Sequence, residues 1–564
     1  MDSKASLKEI LLAAFLYSGL TLLYFFPVLP SLSHSLIGPP EDNMQMVWFI
    51  WYGSQSLIRG DWPFMFSHLI YYPEGAGLYF ANYYYYGIFL TLLLNHFWSL
   101  PLIFNLLVLH SFAFSGITAF LLLKYLTGDL KASLLGGFVY AFNPSHFAHS
   151  MHHVTIASIQ FVPLFVLYFI KMLREERRSL VFWAAIFLAL SGLCDWNYLV
   201  FGLVFSFLAS LYLLFKKRMD FFRRDFKIIS AMLLAAFVLL SPLVVPMVWI
   251  GAHHSFRRNL PGHDIFVADL FAFVTPSVYH WLTASWGRLH SFVTILKHES
   301  TDWEQAVYLG LMNLALIVFA LRRTLKDCGK YFLALLAFMI LAMGSNPHIL
   351  GHAFDFPMPY RLLQHLPFFN AARNPSRIMS YGYLFLAILV AFSVQKMFSH
   401  QNRKTKAAFA LLCVFIFLDF YSVCTANTPY ELPAAYKIIQ KDPARDFGIL
   451  ELPWDEGRYM MLQTLHEIPS VQGYLGRRVE SSLGDTLTYD LRRLDEQKQT
   501  LTENKIKYIV LFKKRMTWDP SLEKDQKYLR AMQTADNIYA RTYKKLFEDE
   551  GSALFQVYRE DGGD

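Results

Sequence analysis

Four groups of residues in this chain could do chemistry, and each has a plainer alternative. Glu41 and Asp42 are adjacent acids that directly follow the first long apolar run. A carboxylate fixed at a helix end in a partly dry cavity can act as a general base, because burial and neighbours tune its pKa. The plainer role is Asp42 as N-cap of a helix running on from Met44. The stretch Asn143-Pro144-Ser145-His146-Phe147-Ala148-His149-Ser150-Met151-His152-His153 places His146, His149 and His153 on one helical face, with His152 turned aside. Three imidazoles on one face could hold a metal or a phosphate, or simply line an interface. No HExxH or matching carboxylate spacing accompanies them. Arg373-Asn374-Pro375-Ser376-Arg377, with Arg361 upstream, sets a proline in a first helical turn. That leaves backbone N–H groups and arginine forks for phosphate oxygens, or for anionic lipid headgroups. Asp264, Asp269, Asp302 and Glu304 share one polar stretch, and Asp195 ends an apolar run. Glu304, one helical turn ahead of Tyr308, is the best second acid and Asp195 the next; solvated loop residues are the plainer reading.

The elements that position these groups are set by composition. Of 564 residues, 55% are hydrophobic and only 17% charged, against roughly 25% charged in an ordinary soluble domain. That excludes a disordered chain and points to many membrane spans plus a soluble part. With about 20 apolar residues needed per span, eleven candidates emerge, near 9–30, 102–125, 132–144, 154–172, 180–194, 198–215, 228–250, 305–321, 331–344, 377–395 and 407–425. The range is 9–13, because several are short and 83–98 could add one. The first run is too long for a signal-peptide core and lacks a cleavage site, so it reads as a retained span. If the N-terminus is cytoplasmic, 22 of the 51 Lys and Arg fall in the short inner loops. Eight fall in the long outer loops 31–101, 251–304 and 345–376, and the remaining 21 follow residue 425. The asymmetry supports N-in, C-out. Met44, Val47, Trp48 and Trp51, interleaved with Tyr52, Ser54, Gln55 and Arg59, predict an amphipathic helix lying flat at the interface.

Residues 1–425 therefore read as a transmembrane domain and 426–564 as a soluble extracytoplasmic α/β domain. Strands are expected at Gly448–Leu452, Tyr508–Phe512 and Leu554–Tyr558, and helices near 431–440, 485–504 and 522–535. The four cysteines, Cys194, Cys328, Cys413 and Cys424, are too scattered for a zinc knuckle or a disulfide framework. GxxxxGK[ST], GxGxxG between strand and helix, and GxSxG are all missing from the sequence. The inner loops are too short for a nucleotide-binding domain. Since most cations serve topology or the tail, the net charge of +8 is no argument for nucleic acid.

In its acid after span one, large first outer loop, many spans and external C-terminal domain, the chain resembles the GT-C superfamily. These are integral-membrane glycosyltransferases that use polyprenyl-phosphate-linked sugars; the likeness is to a bacterial and archaeal polytopic branch. It is carried by Glu41-Asp42 before Val47-Trp48-Phe49-Ile50-Trp51, by Tyr72-Pro73-Glu74-Gly75, and by Tyr140-Ala141-Phe142-Asn143-Pro144 leading to His149 and His152. Gln160-Phe161-Val162-Pro163-Leu164, Pro367-Phe368-Phe369 with Arg373 to Arg377, Leu450-Glu451-Leu452-Pro453 and Gly473-Tyr474-Leu475 complete it.

The resemblance implies Asp42 as catalytic base with Glu41 as close rival, and Arg373 and Arg377 on the carrier phosphate. His149 and His152 match a recurrent outer-face pair. The second acid of many relatives has no unambiguous counterpart. The implied donor is a polyprenyl-phosphate-sugar and the acceptor a glycan, lipid or protein; a divalent metal stays open. The implied place is the plasma (inner) membrane, multi-pass, with membrane lipid as partner. A lipid-linked glycan flippase and a non-catalytic scaffold in cell-envelope glycan assembly are the alternatives.

Overall fold

The computed structural model describes residues 5–559 except 176, 255–264, 298–299, 367–372, 400–401, 425, 477–480 and 515–525. Asp264 and the Pro367-Phe368-Phe369 segment thus lie outside the described residues. The fold is mainly helical, and the chain divides into two compact units.

The first unit takes in Met1–Leu29, Leu106–Pro242 and Leu260–Thr425. Local signals start its helices. Ser6 and Glu9 form a capping box at the head of Leu7–Tyr24. Asp129 caps Leu130–Ala141, Asn143 caps Pro144–His152 with a proline in its first turn, and Asp195 caps Trp196–Lys217. At the centre runs Met379–Met397, buried almost throughout. A Cβ on Gly136 would sit 2.5 Å from Leu123 Cδ1 and 3.0 Å from the Ala387 carbonyl, so glycine lets Leu130–Ala141 close onto it.

Leu311–Ala342 packs along that central helix twice. Ser393 Oγ donates to the Leu316 carbonyl, while the Tyr331 ring lies against Phe385 and Phe392 and Phe338 against Tyr381 and Phe385. The Cys328 thiol reaches the Ala320 carbonyl at 3.6 Å, whereas eight residues of straight helix span about 12 Å. The chain therefore doubles back in the basic stretch between Arg322 and Lys330, where the sequence suggests a loop between two spans.

Among the described residues, five helices are long and apolar enough to cross a membrane: Leu7–Tyr24, Leu100–Thr127, Trp196–Lys217, Phe221–His253 and Pro375–Met397. Several other expected spans fall on helices too short for that measure, among them Leu130–Ala141, Val162–Arg174 and Arg178–Cys194.

The second unit joins Pro30–Asn105, Leu243–Asn259 and Ala426–Asp564. Its tail carries a four-stranded mixed sheet in the order Gly448–Leu452, Ile506–Phe512, Ser552–Gln556, Lys544–Glu548, the first pair parallel and the others antiparallel. Leu450, Ile509, Leu511 and Phe555 are core positions of this sheet, with Leu501 and Tyr539 from its helices. The tail segment of this unit starts at Ala426, and two earlier segments join it. Ser35–Ile37 pairs with Asn427–Pro429, and the Asn105 side chain accepts from Ile37 N–H while donating to the Leu32 and Ser35 carbonyls.

The helix Asp42–Arg59 is buried continuously from Asn43 to Ser54, not laid flat with one face open as its pattern suggests. Trp48 stacks on Tyr52 at 4.7 Å and donates from Nε1 to Gln463 Oε1 at 2.6 Å, on the tail helix Glu456–His466. Gly60, in the left-handed region at φ 82°, ends the helix.

Candidate functional site

In the first unit the polar chemistry centres on Glu304. The sequence suggests a helical position one turn before Tyr308, but Glu304 occupies a turn and the helix begins only at Leu311. Its side chain is fully buried and its oxygens are fully engaged. Arg377 donates to Oε1 from Nε at 2.7 Å and from Nη2 at 2.6 Å, and Asn374 Nδ2 donates to the same oxygen at 3.0 Å. Ser376 Oγ donates to Oε2. Burial would raise the pKa of this carboxyl, but the Arg377 guanidinium, helped by the Ser376 hydroxyl, outweighs it and holds the group at about 2. Glu304 is therefore an anion that fixes a guanidinium, and a poor proton acceptor near neutral pH.

The Arg373-Asn374-Pro375-Ser376-Arg377 turn was legible as a polar motif, but its local partner was not: Asn374, Ser376 and Arg377 all close on Glu304. Arg373 lies with its guanidinium 5.7 Å from the centre of the Phe266 ring. Arg361 sits on the exposed side of the short helix Tyr360–Leu363, and no described contact joins it to Glu304.

The histidines separate into different surroundings. His146 is core: its Nδ1 pairs with the Ala141 carbonyl at 2.5 Å, Nε2 with Ser111 Oγ at 3.1 Å, and its ring stacks on Phe112 at 3.9 Å. His149 places Nε2 3.9 Å from Glu304 Oε2 while its buried Nδ1 has no hydrogen-bond partner among the described residues. Burial holds its pKa well below the usual imidazole value, so it stays neutral. His152 bonds Tyr279 OH at 2.7 Å and stacks on Trp303 at 4.1 Å. His153 ends the helix and tilts against Trp303. Tyr279 and Trp303 are partners that no local pattern announces.

Asp195 is buried, capping Trp196–Lys217 through Asn197 N–H at 2.9 Å, with Oδ2 lacking a hydrogen-bond partner among the described residues. It and Arg377 both lie within electrostatic reach of Tyr198. Tyr308 donates to Asp419 Oδ1 at 2.6 Å, and Asp419 Oδ2 accepts from Met312 N–H at 3.0 Å. Asp419 thus caps Leu311–Ala342 from another helix, a structural duty for an acid inside an apolar run.

No group of three or more His, Cys, Asp or Glu among the described residues is arranged to hold a metal ion. A cation at Glu304 would have to displace Arg377, so these residues do not fit a metal.

Glu41 and Asp42 belong to the second unit. The helix begins at Asp42 itself, with Glu41 as N-cap and no side-chain cap bond, so Asp42 is not the cap that its spacing suggests. Asp42 Oδ1 accepts from Gln45 Nε2 at 2.7 Å. The head of Glu456–His466 adjoins this end: a Cβ on Gly457 would lie 3.5 Å from Met44 Cε and 3.7 Å from the Glu41 carbonyl oxygen.

A further acid, Glu451, was visible only as part of a strand. It is fully buried, accepting from Tyr436 OH and from Ser470 Oγ at 2.6 Å, with His466 Nε2 3.9 Å away. Burial pushes its pKa up to about 7 against an ordinary 4.5. A raised folded pKa means stability that is complete below pH 4.5 and lost as pH rises through 7. Over that window the second unit is expected to lose about 3 kcal/mol, at about 1.4 kcal/mol per pH unit. Glu451→Gln should flatten the loss. Tail unfolding followed by limited proteolysis from pH 4.5 to 7.5 would show this, and an unchanged slope would remove Glu451 as its source.

A family model described as a domain of unknown function (DUF6311) matches residues 20–423. No curated protein matches the chain by sequence. Among solved structures the chain resembles the arabinofuranosyltransferase AftD from Mycobacteria, with a TM-score of 0.64 at 12% identity over 99% of this chain. It spans only 40% of that protein's length. Fainter likenesses reach the archaeal oligosaccharyltransferase AglB from Archaeoglobus fulgidus, in complex with an inhibitory peptide and a dolichol-phosphate (TM-score 0.48, 13% identity, 98% of this chain and 74% of that one). Another is ArnT from Cupriavidus metallidurans bound to undecaprenyl phosphate (TM-score 0.44, 12% identity, 98% and 99%). The fold is that of the GT-C glycosyltransferases.

Proposed function

The chain belongs to the family described as a domain of unknown function, DUF6311, and within that family we propose that it is a membrane glycosyltransferase. It moves a sugar from a polyprenyl-phosphate carrier to an acceptor on the outer face of the membrane. The observation that carries this reading is the likeness of nearly the whole chain to an arabinofuranosyltransferase. A shared fold does not by itself fix an activity, so the residues must be assigned roles that a reaction can test.

In this reading Asp42, or Glu41 beside it, takes the proton from an acceptor hydroxyl as that oxygen attacks the anomeric carbon. The bond from that carbon to the carrier phosphate breaks, and the phosphate leaves with the electron pair. Arg373 and Arg377 hold the departing charge, and Glu304 fixes Arg377 without itself titrating. Arg361 serves, at most, the approach of the carrier. Asp195, which with Arg377 acts on Tyr198, is the second-acid candidate of this reading after Glu304. His149, His152 and His153 are assigned to sugar or phosphate contact, whereas His146 and Tyr308 serve packing and a helix cap. The activated donor supplies the driving force, so no nucleotide is used on the outer face.

The N-terminus lies in the cytoplasm and the tail outside, with short helices and the doubled Leu311–Ala342 adding passes beyond the five long ones. Proteoliposomes holding the purified chain, given polyprenyl-phosphate-linked pentoses and hexoses with an envelope glycan acceptor, should form a new glycosidic bond detectable by mass spectrometry. Movement of the lipid-linked sugar without bond formation would overturn transfer in favour of flipping.

A further inference from the structure

Four basic side chains gather where helices end or turn. Lys171 and Arg174 lie in the last turn of Val162–Arg174, Lys216 in the last turn of Trp196–Lys217, and Lys330 in the reversal of Leu311–Ala342. Tyrosine rings form their floor. Lys171 Nζ is 5.0 Å from the Tyr125 ring centre and 5.3 Å from that of Tyr168, and the Arg174 guanidinium is 5.6 Å from Tyr125. Lys216 sits 5.8 Å over Tyr212 and Lys330 4.8 Å over Tyr331.

A cation at each helix C-terminus answers the helix dipole, and that accounts for one charge per helix but not for their convergence. After burial, Arg174 and Lys216 are the main influences holding the Lys330 pKa below its usual value, with only Asp327 opposing them. Arg174 also acts on Tyr331. Among the described residues, Glu175 faces Arg177 at 4.0 Å and Asp225 pairs with Lys217 at 2.7 Å. Among the described residues no ion pair joins Arg174, Lys216 or Lys330 to a carboxylate. Like charges collected this way repel, and an anion seated among them relieves the repulsion.

Beside the cluster stand Phe215, 81% exposed, Leu325, 59% exposed, and the Tyr212 ring, 40% exposed. A phosphate with acyl chains satisfies both features, whereas free phosphate satisfies only the first. We propose that Lys171, Arg174, Lys216 and Lys330 form a seat for the headgroup of an anionic phospholipid, whose chains lie along Tyr212, Phe215 and Leu325. The seat depends only on the membrane-spanning character of the chain, not on sugar transfer.

The test is thermal unfolding of the full chain in maltoside micelles, titrated with phosphatidylglycerol, phosphatidylcholine or inorganic phosphate. Phosphatidylglycerol should stabilise saturably and less well in high salt, while the other two leave the midpoint unmoved. The triple variant R174Q/K216Q/K330Q should need about a hundredfold more phosphatidylglycerol, at about fivefold per charge. R322Q/R323Q, altering basic residues outside the tyrosine-floored cluster, should titrate like the parent. If the triple variant fails to fold, K330Q alone should show the fivefold step and K216R/K330R should show none. Equal stabilisation by phosphatidylcholine or by inorganic phosphate, or an unaltered titration of the charge-removing variants, would overturn the proposal.

Discussion

Glu304→Ala is expected to destabilise the first unit by about 3–5 kcal/mol, because it strands a largely buried guanidinium. Arg377 is only 11% exposed and Glu304 not at all, so neither can turn to water when its partner is gone. Arg377→Met should be costly for the mirror-image reason, a buried carboxylate left with Asn374, Ser376 and a neutral His149. The double variant should cost less than the two single changes together, with a coupling in the range of about 0.5–3 kcal/mol. Thermal midpoints of the four proteins in one detergent would measure it. Strict additivity, or a Glu304→Ala loss under about 1 kcal/mol, would mean that the pair does not form. Glu304 also sets a pH signature opposite to that of Glu451. Its folded pKa of about 2 lies below the ordinary 4.5, so its contribution is complete above pH 4.5 and lost as pH falls towards 2. On the proposed function, transfer activity should be absent from both single variants and should not return in the double, since a methionine restores packing but not the charge proposed to hold the phosphate.

Asp42→Asn is the second large effect and separates chemistry from folding. A positioned general base contributes about a hundredfold to ten-thousandfold, so kcat should fall by about a thousandfold with KM little changed. The fold should tolerate the change, because Asp42 is the first residue within its helix and an asparagine oxygen can still accept from Gln45. Far-UV circular dichroism and the thermal midpoint should match the parent. If Asp42→Asn keeps activity within tenfold while Glu41→Gln loses it, the base is Glu41; if both keep it, the acid pair has no part in transfer.

What could be read from the sequence was local. Asn143 followed by Pro144 announces a helix start, Ser6 with Glu9 another, and the apolar run Gly448–Leu452 a strand, because the caps and pleats involved need only near neighbours. The Glu304 cluster was visible only as separate parts. Its acid and its donors stand 70 to 73 residues apart, and nothing in either segment names the other. So Arg377 read as an uncommitted phosphate fork, where the fold gives two of its nitrogens to a carboxylate. The helix Asp42–Arg59 misled for a related reason. Its polar positions suggest one wet face, but the partner that covers it comes some 415 residues later in the chain, at Gln463. The span count differs because apolar length was the only ruler available. Helices as short as Leu130–Ala141 can be buried against neighbours without crossing alone, and the basic stretch after Arg322 bends a helical segment instead of unravelling into a loop.

The three-segment makeup of the second unit bears on how this protein is born. Its early part, residues 30–105, leaves the ribosome hundreds of residues before the strand Asn427–Pro429 and the Gln463 side chain that complete it. Until then Trp48 and its neighbours wait without the surface that will cover them. Synthesis must therefore finish before the acid pair at Glu41 and Asp42 acquires its mature surroundings. A chain stopped early would keep many of its apolar helices and lose the unit that holds those acids. A premature stop anywhere before residue 463 should thus be as damaging as deleting residues 30–105 themselves.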